Sequence, residues 1–260
     1  MIIKRSMNYP PKNADRPLHI WLPEDYYDTD ERYPVMYFFD GHNMFTDADA
    51  TYGTSWELKD FLTAWDKPMI IVGMECGHEG NERLHEYSPY AAKLPWAPGD
   101  GSEFLGDQTF EWILRDIKPM IDREFRTIPF RECTAIGGSS MGGLMALYGV
   151  VHHNIWFSKA ACVSSAIGFC MDHLRSDMVA SRIDPDTRVF LSWGTREARV
   201  KDPAKPDFSS DAYRRNREVA DRIIESGASA RLYCQVGGAH CEADWAKQVP
   251  LFMDYLWKDK

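Results

Sequence analysis

Seven short apolar runs recur along this chain, and helical patterns fill the spaces between them. The runs are HIWLP (19–23), PVMYFFD (34–40), PMIIVGMEC (68–76), CTAIGG (133–138), KAACVSS (159–165), RVFLSW (188–193) and RLYCQV (231–236). Several are continuous rather than alternating, as expected for strands buried on both faces. Between them, Phe110, Ile113, Leu114, Ile117 and Ile121 fall at i, i+3, i+4, i+7 and i+11. Trp245, Val249, Phe252 and Leu256 continue this helical spacing near the C-terminus. Strand and helix signals in alternation predict an α/β fold with a mostly parallel central sheet flanked by helices. In such sheets, chemistry collects at the carboxyl ends of the strands. No repeat or linker divides the sequence, so residues 1–260 are expected to form one domain. The stretch 166–187 is the only insertion that suggests a lid, and it is too short for a separate lid domain.

Composition narrows the partners. A net charge of −9, without a basic stripe, argues against nucleic acid. No uncharged apolar run is long enough to cross a bilayer, and MIIKRSMNYPPKN lacks the apolar core of a secretory signal. The six cysteines form no C-x-x-C pairs, and four lie in or beside strand-like runs, where buried free thiols are common. These features predict a cytoplasmic protein with neither disulfides nor a metal centre.

The stretch GGSSMGG, Gly137 to Gly143, lies between a strand run and the helical run LMALYGVV. Glycine weakens both kinds of element, so the cluster implies a backbone requirement. Gly138-Ser139-Ser140-Met141-Gly142 fits G-x-S-x-G, the nucleophile elbow, in which a serine sits on a strained strand-to-helix turn between small residues. Ser140 has glycines at both required offsets and is the expected nucleophile.

Serine needs a base, and histidine is the usual one near neutral pH. His152 and His153 lie a helix length from the elbow, His19 opens a strand at the opposite edge, and His173 has no evident role. His240 follows the last strand run and Gly237-Gly238, on a carboxyl-edge loop, and is the expected base; His78 and His85 are held in reserve. The acid should fall between nucleophile and base in the chain, after a strand. Glu197 is the first carboxylate past RVFLSW; Asp202 and Asp207 lie farther along the same loop. The oxyanion needs two backbone N–H donors. Met141, after the nucleophile, supplies one, and His42, in the turn of FFDGHNMF, the other. Tyr87, Tyr90, Trp96 and Trp193 offer rings for stacking on a sugar or phenolic group, although packing of these rings against the sheet is the stronger expectation.

Five segments carry a family resemblance: YPVMYFFDGHNMF, R-x-x-E-Y-S-P at Arg83 to Pro89, IGGSSMGGLMAL, W-G-T-x-E at Trp193 to Glu197, and GGAHCEADW. In this order, from about Tyr33 to Trp245, the chain resembles the putative esterase family of the α/β-hydrolase superfamily. That family includes feruloyl and acetylxylan esterases, siderophore trilactone esterases, S-formylglutathione hydrolases and mycolyltransferases. The resemblance implies the α/β-hydrolase fold, with Ser140 as nucleophile, His240 as base, Glu197 as acid and the His42 amide as an oxyanion donor. It implies a serine esterase that forms an acyl-enzyme and needs no cofactor. The expected substrate is a small ester, foremost an acetyl or feruloyl ester of a carbohydrate. Acyl transfer, thioester hydrolysis and siderophore lactone hydrolysis are the alternatives. Feruloyl esterases of the family are commonly secreted with carbohydrate modules, which this sequence lacks, so an intracellular hydrolase is expected.

Overall fold

Among the described residues, eight strands join in one sheet, in the order β1-β2-β4-β3-β5-β6-β7-β8. They are β1 (Ile2–Tyr9), β2 (Ala14–Trp21), β3 (Val35–Phe39), β4 (Ile70–Met74), β5 (Thr134–Ser139), β6 (Lys159–Val163), β7 (Arg188–Gly194) and β8 (Ser229–Gln235). The computed structural model describes residues 1–91, 104–198 and 200–258. From β4 to β8 all neighbours are parallel; β2 runs antiparallel to both β4 and β1.

Helices cover both faces. They are α1 (Leu58–Ala64), α2 (Glu82–Glu86), α3 (Gly106–Trp112), α4 (Lys118–Glu124), α5 (Met141–His152), α6 (Met171–Ala180), α7 (Asp211–Glu225), α8 (Glu242–Ala246) and α9 (Val249–Trp257). The two-residue period of a strand divides β3 between two cores. Tyr37 and Phe39 pack with Phe110, Ile121, Leu144, Leu174 and Val219 from α3 to α7. Met36 and Phe38 pack with Leu58, Trp245, Phe252 and Leu256 from α1, α8 and α9. Strands such as β3, β4 and β5 are buried along their whole length, which accounts for their unbroken apolar sequence.

The seven apolar runs all coincide with strands, but β1 carries none of that signal. Its sequence, IIKRSMNY, pairs only with β2 at the sheet edge and leaves Lys4, Arg5 and Ser6 exposed. An edge strand has a solvent side and tolerates charge there. The C-terminal stripe belongs to two helices, since α8 ends at Ala246 and α9 begins at Val249 with Pro250 in its first turn. The stripe from Phe110 to Ile121 spans α3, a π-helical segment at Ile113–Ile117, and α4. Within 166–187, a 3-10 turn at Ala166–Phe169 leads into α6, which packs between α5 and α7 as part of the helical layer.

Candidate active site

Ser140 occupies the junction of β5 and α5 with φ 56 and ψ −119, a region that non-glycine residues rarely adopt. Backbone bonds hold it there. Its N–H donates to the Val163 carbonyl at 3.0 Å, and its own carbonyl accepts from Ala166 at 2.9 Å and Leu144 at 3.1 Å. A Cβ placed on Gly138 would come within 2.7 Å of the Gly142 carbonyl carbon, so the turn closes too tightly for a side chain beside the serine. Met141 opens α5, where the first N–H groups have no partner within the helix and the dipole favours negative charge.

The loops after β7 and β8 are tied together. Thr195 donates its N–H to the Gln235 carbonyl at 3.0 Å, Arg196 to Gly238 at 3.0 Å, and Gly237 to Thr195 Oγ1 at 2.8 Å. The result is a direct hydrogen bond between His240 Nδ1 and Glu197 Oε2. The second oxygen of Glu197 accepts from Ser164 Oγ at 2.7 Å and from the Gly194 N–H. Ser164 accepts in turn from Trp245 Nε1 at 3.0 Å, and the edge of the His240 ring meets the Trp245 ring at 4.9 Å. The Glu197 side chain is only 13% exposed while that of His240 is 45% exposed, so a buried carboxylate orients an imidazole that reaches solvent. Asp202 and Asp207 take no part in this network. Asp202 pairs with Lys205 and Asp207 accepts from Ser209, both in their own exposed loop.

Beside the elbow, β3 ends in a second strained turn. Asp40 lies in the left-handed region at φ 59 and ψ 48, and the 3-10 turn Gly41–Asn43 follows. Arg83 grips the Asp40 carboxylate with two bonds of 2.6 and 2.8 Å, and the Asp40 N–H donates to the Tyr87 hydroxyl at 3.1 Å. Burial pushes the Asp40 carboxyl up, but the Arg83 guanidinium outweighs it and holds the group below the usual carboxylate range. Gly41 lies against the backbone of Gly73 with no room for a side chain on either. His42 is buried in this turn, and burial lowers its imidazole pKa, favouring the neutral ring. The His42 and Met141 amides therefore belong to turns that follow adjacent parallel strands, β3 and β5.

The remaining candidates fall elsewhere. His152 pairs with Asp177, His153 stacks on Phe110, and His173 stacks on Tyr90. His85 lies in α2. His19 sits opposite Gly73 in the antiparallel β2–β4 pair and bonds Glu75, so reversed strand direction carries it toward the carboxyl end of β4. Tyr87, Tyr90 and Trp193 are buried as expected of packing residues, and Trp96 lies outside the described residues. Ser164, Arg83 and Trp245 were not singled out as site residues from the sequence. Ser164 lies at the carboxyl end of the KAACVSS run, directly after β6, a position where the carboxyl-edge rule could have found it.

Among the described residues, no helix is long and apolar enough to cross a membrane, and all six cysteines are free. The chain is 33% identical to Esterase MT1326 of Mycobacterium tuberculosis over 237 residues, which cover 89% of this chain and 45% of that protein. It therefore spans about half the length of that relative. Its fold is similar to that of an IroE-like serine hydrolase from Shewanella oneidensis, with TM-score 0.72 and 21% identity over 98% of this chain and 81% of the other. A ferulic acid esterase superposes with TM-score 0.70 and 17% identity, covering 98% and 97% of the two chains. The model of the putative esterase family matches residues 11–252, and the chain belongs to that family.

Proposed function

We propose that the protein is a serine esterase in which Ser140, His240 and Glu197 act together on a small carboxylic ester. The observation that carries this reading is the bond from Glu197 to His240 Nδ1, made by the loops that follow β7 and β8 in the same parallel run of strands as the elbow. With Nδ1 engaged by the carboxylate, Nε2 is the nitrogen free to accept a proton. The Ser140 hydroxyl attacks the ester carbonyl while His240 removes its proton. The oxyanion is held by the amides of His42 and Met141. Collapse breaks the ester C–O bond, and His240 returns the proton to the leaving alcohol. Water, deprotonated by His240, then attacks the acyl-enzyme and releases the acid and free Ser140.

The substrate reading is an acyl ester of a carbohydrate, of the acetyl or feruloyl type, supported by the fold shared with a ferulic acid esterase. Tyr87, Tyr90 and Trp193 are packed inside and offer no open platform for a phenolic ring. A reducing, cytoplasmic setting suits six free thiols.

Replacing Ser140 with alanine is expected to reduce hydrolysis of p-nitrophenyl acetate by about 10⁶-fold with the circular dichroism spectrum unchanged. Retained turnover in a folded variant would end the proposal. The same pair of proteins, assayed on acetylated, feruloylated and trilactone esters with free-acid release followed, ranks the substrate classes and separates hydrolysis from acyl transfer.

A further inference from the structure

Four polar side chains gather beside the oxyanion turn, and the proposed hydrolysis uses none of them. His42 follows β3, Glu75 and His78 follow β4, and His19 projects from β2. One donor atom each from His42, Glu75 and His78 lies within 4.8 Å of the other two. His78 Nε2 is 2.8 Å from Glu75 Oε2, and His42 Nδ1 is 4.0 Å from the same oxygen. The His42 and His78 rings meet edge to face at 4.6 Å.

We infer that His42, Glu75 and His78 form a binding site for one divalent transition-metal ion of the zinc class. An ion pair between Glu75 and His78 would explain those two residues alone. It leaves His42 Nδ1 unexplained, a buried nitrogen with no hydrogen-bond partner among the described residues and 4.0 Å from the carboxylate. Buried polar atoms normally find partners, and at 4.0 Å the His42 nitrogen and the carboxylate oxygen stand too far apart to bond each other directly. A cation placed between them satisfies both.

The geometry suits zinc. Ligands bound at ~2.0–2.1 Å in a tetrahedron stand ~3.3 Å apart, and the two observed separations bracket that value. Two imidazoles and one carboxylate favour zinc-class ions over magnesium or calcium, which prefer oxygen donors. The other Glu75 oxygen is already held by His19 Nε2 at 2.5 Å, the outer-shell contact that aims a carboxylate at its metal. His78 is half exposed, which gives an ion a route from solvent, and three protein donors leave one position for water. An ion there would fasten the turn of His42 to the end of β4.

The inference does not depend on ester hydrolysis, and its test reads binding. Metal-stripped protein is titrated with Zn²⁺ by calorimetry in a non-chelating buffer, and with Co²⁺ by visible absorption. One ion per chain is expected. His78→Ala, at an exposed position that should not disturb folding, should weaken binding by at least about 100-fold, as should Glu75→Gln. His19→Gln should weaken it by about tenfold, because it only orients the carboxylate. An absence of saturable binding in the wild type, or wild-type affinity in folded His78→Ala, would overturn the assignment.

Discussion

The turns at the ends of β3 and β5 stand side by side, and each holds a non-glycine residue at positive φ: Asp40 at 59 and Ser140 at 56. They are held in opposite ways. Around Ser140 the restraint comes from backbone hydrogen bonds and from glycines that let the chain close on itself. Around Asp40 it comes from charge, through two bonds to Arg83. The difference follows from what each turn presents. In the role proposed for it, Ser140 must keep its hydroxyl free, so the elbow cannot use that side chain as a clamp. The β3 turn is proposed to present a backbone amide, which leaves its acidic side chain available to fix the conformation.

The largest expected effect lies in the loops after β7 and β8, which the proposed mechanism couples to the elbow. Glu197→Gln keeps the shape of the side chain but removes the charge that fixes the His240 tautomer. Esterase turnover should fall by about 10⁴-fold, measured as kcat/KM on an aryl ester. A loss below tenfold would move the acid role away from Glu197.

The charge-held turn should show its dependence in stability. Asp40→Asn leaves Arg83 without its partner and is expected to cost about 3 kcal/mol, lowering the melting temperature by about 6–12 °C. The pH dependence gives the sharper signature. The folded carboxyl titrates below its ordinary value, so its stabilising contribution is complete above the unfolded value near 4 and disappears as pH falls through the depressed one. Wild-type melting temperatures should therefore decline toward acid more steeply than those of Asp40→Asn. Parallel curves would show that charge does not hold this turn.

The backbone-held turn should respond instead to volume. Gly138→Ala forces a Cβ against Gly142 and is expected to cost about 2 kcal/mol by chemical denaturation, without altering the pH profile. Turnover should fall with it, since the turn that aims Ser140 must open. Wild-type stability in this variant would show that the elbow has slack.

The sheet was legible because its interior strands are buried on both faces, and burial demands continuous apolar sequence. β1 escaped for the converse reason: an edge strand with a wet side has no such demand, and its pairing with β2 supplies the order. Much of the candidate site was legible as well. Ser140 stands out because a tight turn excludes side chains and leaves glycine in the sequence, and Glu197 and His240 each follow a strand. The supports were harder to see. Ser164 reaches Glu197 from 33 positions away, and Arg83 reaches Asp40 from 43. Neither distance along the chain carries a period or a spacing rule.

By itself, the sequence determined the interior strands, the mostly parallel class of the sheet and the turn that bends around Ser140, because each depends on local sterics or on a residue's own burial. Only the tertiary structure decided which carboxylate meets His240, which cation holds Asp40, and that His42, Glu75 and His78 converge. Those outcomes depend on which strand ends lie side by side, and strand adjacency arises from long-range hydrogen bonding and packing that no short stretch of chain encodes.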